Sequence, residues 1–322
     1  MCASVYAART MDSVAGLLDG PRARAAFLLC SSLQPPWSLR IADEAPLTVC
    51  AVVRGHAYVL MADRDPVRLA AGDVAIFRGP DHYVVADAPD TAPQVEILPG
   101  QECVVVPGAR PAAMTDLGVR TWGNQADGED VLLTGTYTEQ GEVSRRLVQA
   151  LPVLVVVRGD SWDCPLVPYL AEQVALDHPG QEALLDRLLD LLLIAALREW
   201  FDRPDARAPG WYEAHADPVV GPALQLIHHR PAEPWTVATL AHEVGASRAA
   251  LARRFSQQVG EAPMAYLTGW RLALAADLLC EPGATLASVA PQVGYGSSYA
   301  LSTAFKRVRG LTPGAHRSAR VS

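Results

Sequence analysis

The side chains best suited to chemistry sit in two related stretches near the end of this sequence. EVGASRAALARRF (Glu243–Phe255) gathers Arg248, Arg253 and Arg254. QVGYGSSYALSTAFKR (Gln292–Arg307) places Ser297, Ser298, Tyr299, Ser302 and Thr303 ahead of Lys306 and Arg307. A guanidinium is a planar, permanently charged fork that can grip a guanine edge or a phosphate with two parallel donors. Hydroxyls can bond phosphate but do not replace that fork. The chemistry on offer is recognition of a polyanion, with unequal tools in the two stretches. Elsewhere the candidates are thinner. Six cysteines (Cys2, Cys30, Cys50, Cys103, Cys164 and Cys280) lie far apart with no CxxC pair. That usage suits reduced cytosolic thiols better than a disulfide framework or a zinc finger. A redox role would fall to Cys30, Cys50 or Cys103, and would need a cation such as Arg54 or Arg78 beside the thiol to lower its pKa.

The balance of the whole chain bounds these readings. Half of its 322 residues are hydrophobic and 19% are charged, an ordinary globular composition with length for two or three domains. The longest apolar run, LLLIAAL at Leu191–Leu197, is far short of the roughly 20 residues that cross a bilayer. MCASVYAARTMDSVAGLLDG has an Arg and two Asp scattered through it and does not read as a signal peptide. A cytoplasmic protein with no membrane partner is the expectation. The net charge of −8 is uneven. From Pro218 onward ten Arg or Lys stand against five acids, leaving +5 on the tail and −13 on the rest. The basic tail is the part expected to meet double-stranded DNA.

The elements that must position these residues change in period along the chain. LTVCAVVRG, HAYVLMA, PVRLAAGDVAIF and HYVVAD are short β-branched runs broken by Gly55, Asp63–Asp65, Gly72–Asp73 and Gly79–Pro80. They predict an antiparallel barrel or sandwich, with GVRTW and DVLLTGTYT as late strands. GQEALLDRLLDLLLIAALREWF then carries Leu185, Leu188, Leu192 and Ala195 on one stripe, widened by Leu184, Leu191 and Ile194. That face suits a helix packed on the barrel or one paired with its copy in a homodimer. RPDARAPG reads as a linker. In the tail, Thr236 and Ser247 can cap TVATLAHEV and SRAALARRFSQQV, and Pro263 opens a long helix that Pro282–Gly283 stops. LASVAPQV and SSYALSTAFKRV repeat the plan.

The repetition explains the paired stretches. Ala241 and Gly245 correspond to Ala290 and Gly294, and Phe255 corresponds to Phe305. A small residue followed four positions later by Gly lets a second helix approach the first through a left-handed turn, as a helix-turn-helix requires. Two such units joined by one amphipathic helix would present two recognition helices to successive major-groove faces, held to the core by Leu251, Phe255, Leu301 and Phe305.

On VGYGSSYALSTAFKRVRGLTPGAHR, with Lys306, Arg307, Gly310, Pro313 and Arg317 in matching places, the tail resembles the DNA-binding domain of AraC/XylS-type transcriptional regulators. WSLRI, PVRLAAGDVAIF, RRLVQALPVLVVVRGD and PALQLIHHRPAEPWT extend the resemblance to the subgroup with a cupin-type sensor barrel. It implies an α+β chain: a cupin-like antiparallel β-barrel followed by helices over 1–178, a dimerisation helix and linker over 179–216, and an all-α double helix-turn-helix domain over 217–322. The implied function is a sequence-specific regulator, an activator working with RNA polymerase, controlled by a small effector in the barrel and not an enzyme.

Arg248, Ala249, Ala252 and Arg253 then face the groove in the first motif, just after Ser247, with Arg254 toward a phosphate. Ser298, Tyr299, Ser302 and Thr303 do so in the second, just after Ser297, with Lys306 and Arg307 toward phosphates. The family often has Arg where this chain has Thr303, which weakens guanine readout there. Trp37, Cys50, Tyr58, Phe77, His82 and Tyr83 are the candidate effector wall. AGDVAIFRGPDHYVV resembles the second cupin motif, but VCAVVRGHAYVLM offers His56 alone, without the His-x-His pair and carboxylate that hold a metal. No metal and no cofactor are expected. A metal-dependent cupin enzyme and a cysteine-based redox regulator stand as alternatives.

Overall fold

A computed structural model describes residues 26–109, 114–137, 147–162, 164–203 and 208–321. Contacts divide the described residues into an N-terminal unit over 26–137 and 148–203 and a C-terminal unit of 208–321 with Leu147.

The N-terminal unit is two sheets. Its strands are β1 (Phe27–Leu33), β2 (Ser38–Ile41), β3 (Leu47–Arg54), β4 (His56–Leu60), β5 (Val67–Ala70), β6 (Val74–Arg78), β7 (Tyr83–Ala86), β8 (Val95–Leu98), β9 (Glu102–Val105), β10 (Thr115–Gly118), β11 (Thr121–Gly123), β12 (Asp130–Tyr137) and β13 (Leu154–Val157). One sheet runs β10-β11-β1-β12-β3-β6-β13 and the other β5-β4-β7-β2-β8-β9. The pairing is mostly antiparallel, as expected, but β1 with β11 and β2 with β8 are parallel. Alternating residues of both sheets meet in one core that includes Leu33, Trp37, Leu39, Val52, Val59, Leu69 and Val85. Asp73 earns its burial by accepting from Ala70 N–H, Gly159 N–H and Arg158, which closes the Gly72–Asp73 turn against the end of β13.

Two helices follow, α1 (Leu166–Val174) and α2 (Gln181–Phe201). Gly135 of β12 has no Cβ where the Leu189 side chain of α2 lies, so the helix seats closely on the sheet. This corrects the expected dimer stripe. Leu185, Leu188 and Leu192 are buried within the chain itself, Ala195 is half-buried, and the large apolar residues of α2 left exposed are Leu184 and Leu191.

The C-terminal unit is helical: α3 (Gly210–Glu213), α4 (Val220–His229), α5 (Val237–Glu243), α6 (Arg248–Val259), α7 (Pro263–Leu279), α8 (Leu286–Gln292), α9 (Ser298–Arg309) and α10 (Pro313–Val321). α7 is apolar nearly all round because it serves two cores. Tyr266, Leu267, Trp270 and Ala273 join Leu224, Leu240, Leu251 and Phe255 in one. Leu272, Ala275, Ala276 and Leu279 join Val289, Val293, Leu301 and Phe305 in the other.

Candidate nucleic-acid interface

The two helix pairs α5–α6 and α8–α9 are built by the same local devices. Thr236 and Thr239 exchange backbone N–H and hydroxyl bonds, and Thr285 and Ser288 do the same, a reciprocal cap at the start of each first helix. Each first helix ends through a glycine in the left-handed region, Gly245 at φ 65° and Gly294 at φ 78°. Ala246 N–H then bonds Ala241 O at 2.8 Å and Tyr295 N–H bonds Ala290 O at 2.9 Å, satisfying the last carbonyls. Ser247 and Ser297 cap the second helices, their hydroxyls accepting from Ala250 and Ala300 N–H. Their place in the predicted contact set is thus shared with a capping role.

The outward faces carry most of the predicted residues. In α6, Arg248, Ala249 and Arg253 are exposed and Ala252 is half-buried. In α9, Tyr299 is 82% exposed, Thr303, Lys306 and Arg307 are exposed, and Ser298 and Ser302 are half-buried. Arg254 departs from the expectation. Its guanidinium bonds the Asp217 carboxylate at 2.6 Å, and Gln258, one turn on, bonds the same oxygen at 2.6 Å. Asp217 also accepts from Val219 and Val220 N–H and so caps α4. Burial alone would raise this carboxyl. The bonds from Val220, Gln258, Val219 and Arg254 outweigh that and hold it well below the usual carboxylate range. The Arg254 guanidinium, at the edge of the surface, is paired within the protein.

Two arginines missed as structural residues hold the motifs in place. Arg271 of α7 donates to Pro231 O and Glu233 O ahead of α5, and lies against the Gly294 turn of the second motif. Arg317 of α10 donates to Leu279 O and Ala284 O ahead of α8. The charge of each was legible, but the carbonyls it serves lie over thirty residues away in sequence.

In the N-terminal unit the six candidate wall residues do not converge. Trp37, Cys50, Phe77 and Tyr83 meet in the core between the sheets, with Phe77 and Tyr83 stacked at 3.9 Å and Trp37 Nε1 donating to buried Asp130 at 2.9 Å. Tyr58 lies on the other face of β4, edge-on to His56, because Ala57 and Val59 take the inward positions. His82 stands exposed on an open cleft of about 620 Å³ shared with Met61, Ala62, Arg64, Pro80, Asp81 and Val153. Among the described residues no three His, Cys, Asp or Glu converge on a metal position. The His56 ring nitrogens face Asp130 and the Asp87 carbonyl. No lowered thiol pKa is seen at the three candidate cysteines: burial pushes Cys50 up to about 11 against a Thr134 bond. Burial also raises Cys30 against the pull of Arg54, and raises Cys103.

Paired helix-turn-helix motifs with basic outward faces, beside a sheet-rich domain, define a DNA-binding transcription regulator with a cupin domain. Residues 12–202 match the cupin family and residues 240–319 a helix-turn-helix domain family. An AraC-like transcription regulator of Streptomyces lividans is 36% identical over 287 residues, 87% of this chain and 90% of that protein. The chain belongs to the AraC-like family of transcription regulators. The HTH-type transcriptional regulator AlkR of Acinetobacter baylyi is 26% identical over 92% of this chain and 96% of its own length. The solved DNA-binding domain of the global transcriptional factor AdpA, in complex with a target DNA, is 33% identical over 32% of this chain and 93% of that one, with a TM-score of 0.30. Among the described residues no helix is long and apolar enough to cross a membrane.

Proposed function

We propose that this regulator reads an asymmetric operator with its two recognition helices, under control of a small effector bound by the cupin domain. The observation that carries the reading is the outward set of α6 and α9. Arg253 supplies a guanine-reading fork in the first motif and Arg248 a second donor. Tyr299 and Thr303 supply apolar contacts to thymine methyls in the second, and Lys306 and Arg307 bond phosphates. α7 has 17 residues, about 25 Å at 1.5 Å per residue, against the roughly 34 Å between successive major-groove faces. Either the DNA bends toward the protein or the second motif docks weakly. The protein works as an activator that positions RNA polymerase, and as a homodimer through the exposed face of α2 around Leu184 and Leu191.

The effector reading rests on the cupin match and on two features: the aromatic interior around Phe77 and Tyr83, and the cleft beside His82. Mapping the full chain's binding sites across its genome tests the whole reading, because the neighbouring genes nominate effectors for titration. Binding without sequence preference would reject it. Leu184→Glu with Leu191→Glu is expected to give a folded monomer by sedimentation, and persistent dimers would place the interface elsewhere.

A further inference from the structure

We propose that Asp217 is a positioning residue that sets specificity by withholding Arg254 from the DNA backbone and fixing the roll of α6. Arg254 and Gln258 form one stripe on α6, and both end on the same Asp217 oxygen at 2.6 Å. The other Asp217 oxygen accepts from Val219 and Val220 N–H at 2.8 and 2.9 Å. One carboxylate therefore ties the recognition helix to the start of α4. The Asp217 side chain is 8% exposed and that of Arg254 is 38% exposed, so the guanidinium is held at the edge of the surface rather than sealed away. A free arginine beside Arg253 would add a phosphate contact to every duplex, strengthening specific and non-specific complexes alike. Pairing it internally removes that uniform term and leaves Arg253 and Arg248 to discriminate. The second motif has no such device: Ala304, buried, stands at the place matching Arg254.

The test uses the full chain, a random-sequence duplex and a duplex enriched by selection from a randomised pool. Asp217→Asn keeps one oxygen to accept from Val219 and Val220 and turns an amide N–H toward Gln258, whose own amide oxygen can accept it after a flip, but it loses the charge that binds Arg254. The salt dependence of its binding to random duplex is expected to steepen by about 0.9 in log–log slope, one extra phosphate. Its preference for the selected duplex is expected to fall. Arg254→Gln alone is expected to leave the wild-type slope unchanged, and in the Asp217→Asn background to restore it. Asp217→Glu, which can keep the pair, is expected to keep the wild-type slope. An unchanged slope in Asp217→Asn, with far-ultraviolet circular dichroism confirming the helices, overturns the proposal. So does a slope that falls by about 0.9 in Arg254→Gln alone, since Arg254 would then already touch phosphate. The proposal rests on DNA binding by the C-terminal unit. Wild-type protein that ignores both duplexes would count against that reading, whereas binding wild-type with an unchanged variant counts only against Asp217.

Discussion

The α5–α6 and α8–α9 motifs share a backbone and differ in what they show to solvent. Both begin with a reciprocal threonine cap, turn at a left-handed glycine and cap the second helix with serine. Both close on a left-handed glycine, Gly260 or Gly310, and bury a phenylalanine completely. Outside, the first presents Arg248 and Arg253, while the second presents Tyr299 and Thr303 with its charge displaced to Lys306 and Arg307. Apart from the capping serines, the positions that build the fold and those of the proposed reading surface are distinct, so a duplicated scaffold can present two unlike faces.

That equivalence of scaffold breaks first at the cores. Phe255→Ala and Phe305→Ala are each expected to cost about 3–5 kcal/mol, read as lost hydrogen-exchange protection in α6 and α9 respectively. Protection lost from only one of the two would show that the motifs do not share one stabilising logic.

The turn glycines should sharpen the comparison. A side chain at Gly245 meets open space, whereas one at Gly294 would come within 2.8 Å of the Arg271 guanidinium and 2.9 Å of Ala232 O. Gly245→Ala is expected to cost about 1–2 kcal/mol from backbone strain alone. Gly294→Ala should cost roughly 2–4 kcal/mol, because the second motif packs where the first is free. Denaturant titration of both variants checks the order, and equal losses would remove the role given to Arg271.

The difference between the readers is next in size. Arg253→Ala is expected to cost about 1–3 kcal/mol and to relax base preference at one operator position. A position-by-position readout of a randomised-site selection should show one sharp half and one loose, A·T-biased half. Thr303→Arg should add a guanine preference in the loose half. Two equally sharp halves for the wild type would mean that α9 reads bases by hydroxyl and aromatic contacts alone.

The smallest effect belongs to the phosphate contacts. Arg307→Ala should weaken binding to all sequences alike and lower the salt slope by about 0.9, without changing the selected sequence. A shift in base preference would move Arg307 from the backbone to the groove.

Much of this was readable before any coordinates. The caps, glycines and prolines of the tail act within a few residues, so TVATLAHEV, SRAALARRFSQQV and PMAYLTGWRLALAADLLC fell within a residue or two of α5, α6 and α7. β1, α1 and α4 were among the elements not picked out, since FLLCSSL alternates weakly, α1 has no side-chain cap, and the Asp217 bonds that start α4 come from ahead of its first turn. Aromatic character drew Tyr58 into the candidate wall, but strand parity gives the inward places to Ala57 and Val59.

The sequence by itself determined the duplicated motif, the basic tail and the outward Arg248 and Arg253, because helix period and turn chemistry are local. Only the tertiary structure decided which partner each face and charge would take. The stripe of Leu185, Leu188 and Leu192 is equally apolar toward a sheet or a second copy, and the fold buries it within the chain, with neighbouring Leu189 seated where Gly135 of β12 has no Cβ. Arg254 looks like Arg253 in the sequence, yet a carboxylate 37 residues earlier binds it. The hydrophobic effect has no direction and a charge takes the opposite charge that the fold brings within reach, so such choices follow from the packing of distant segments.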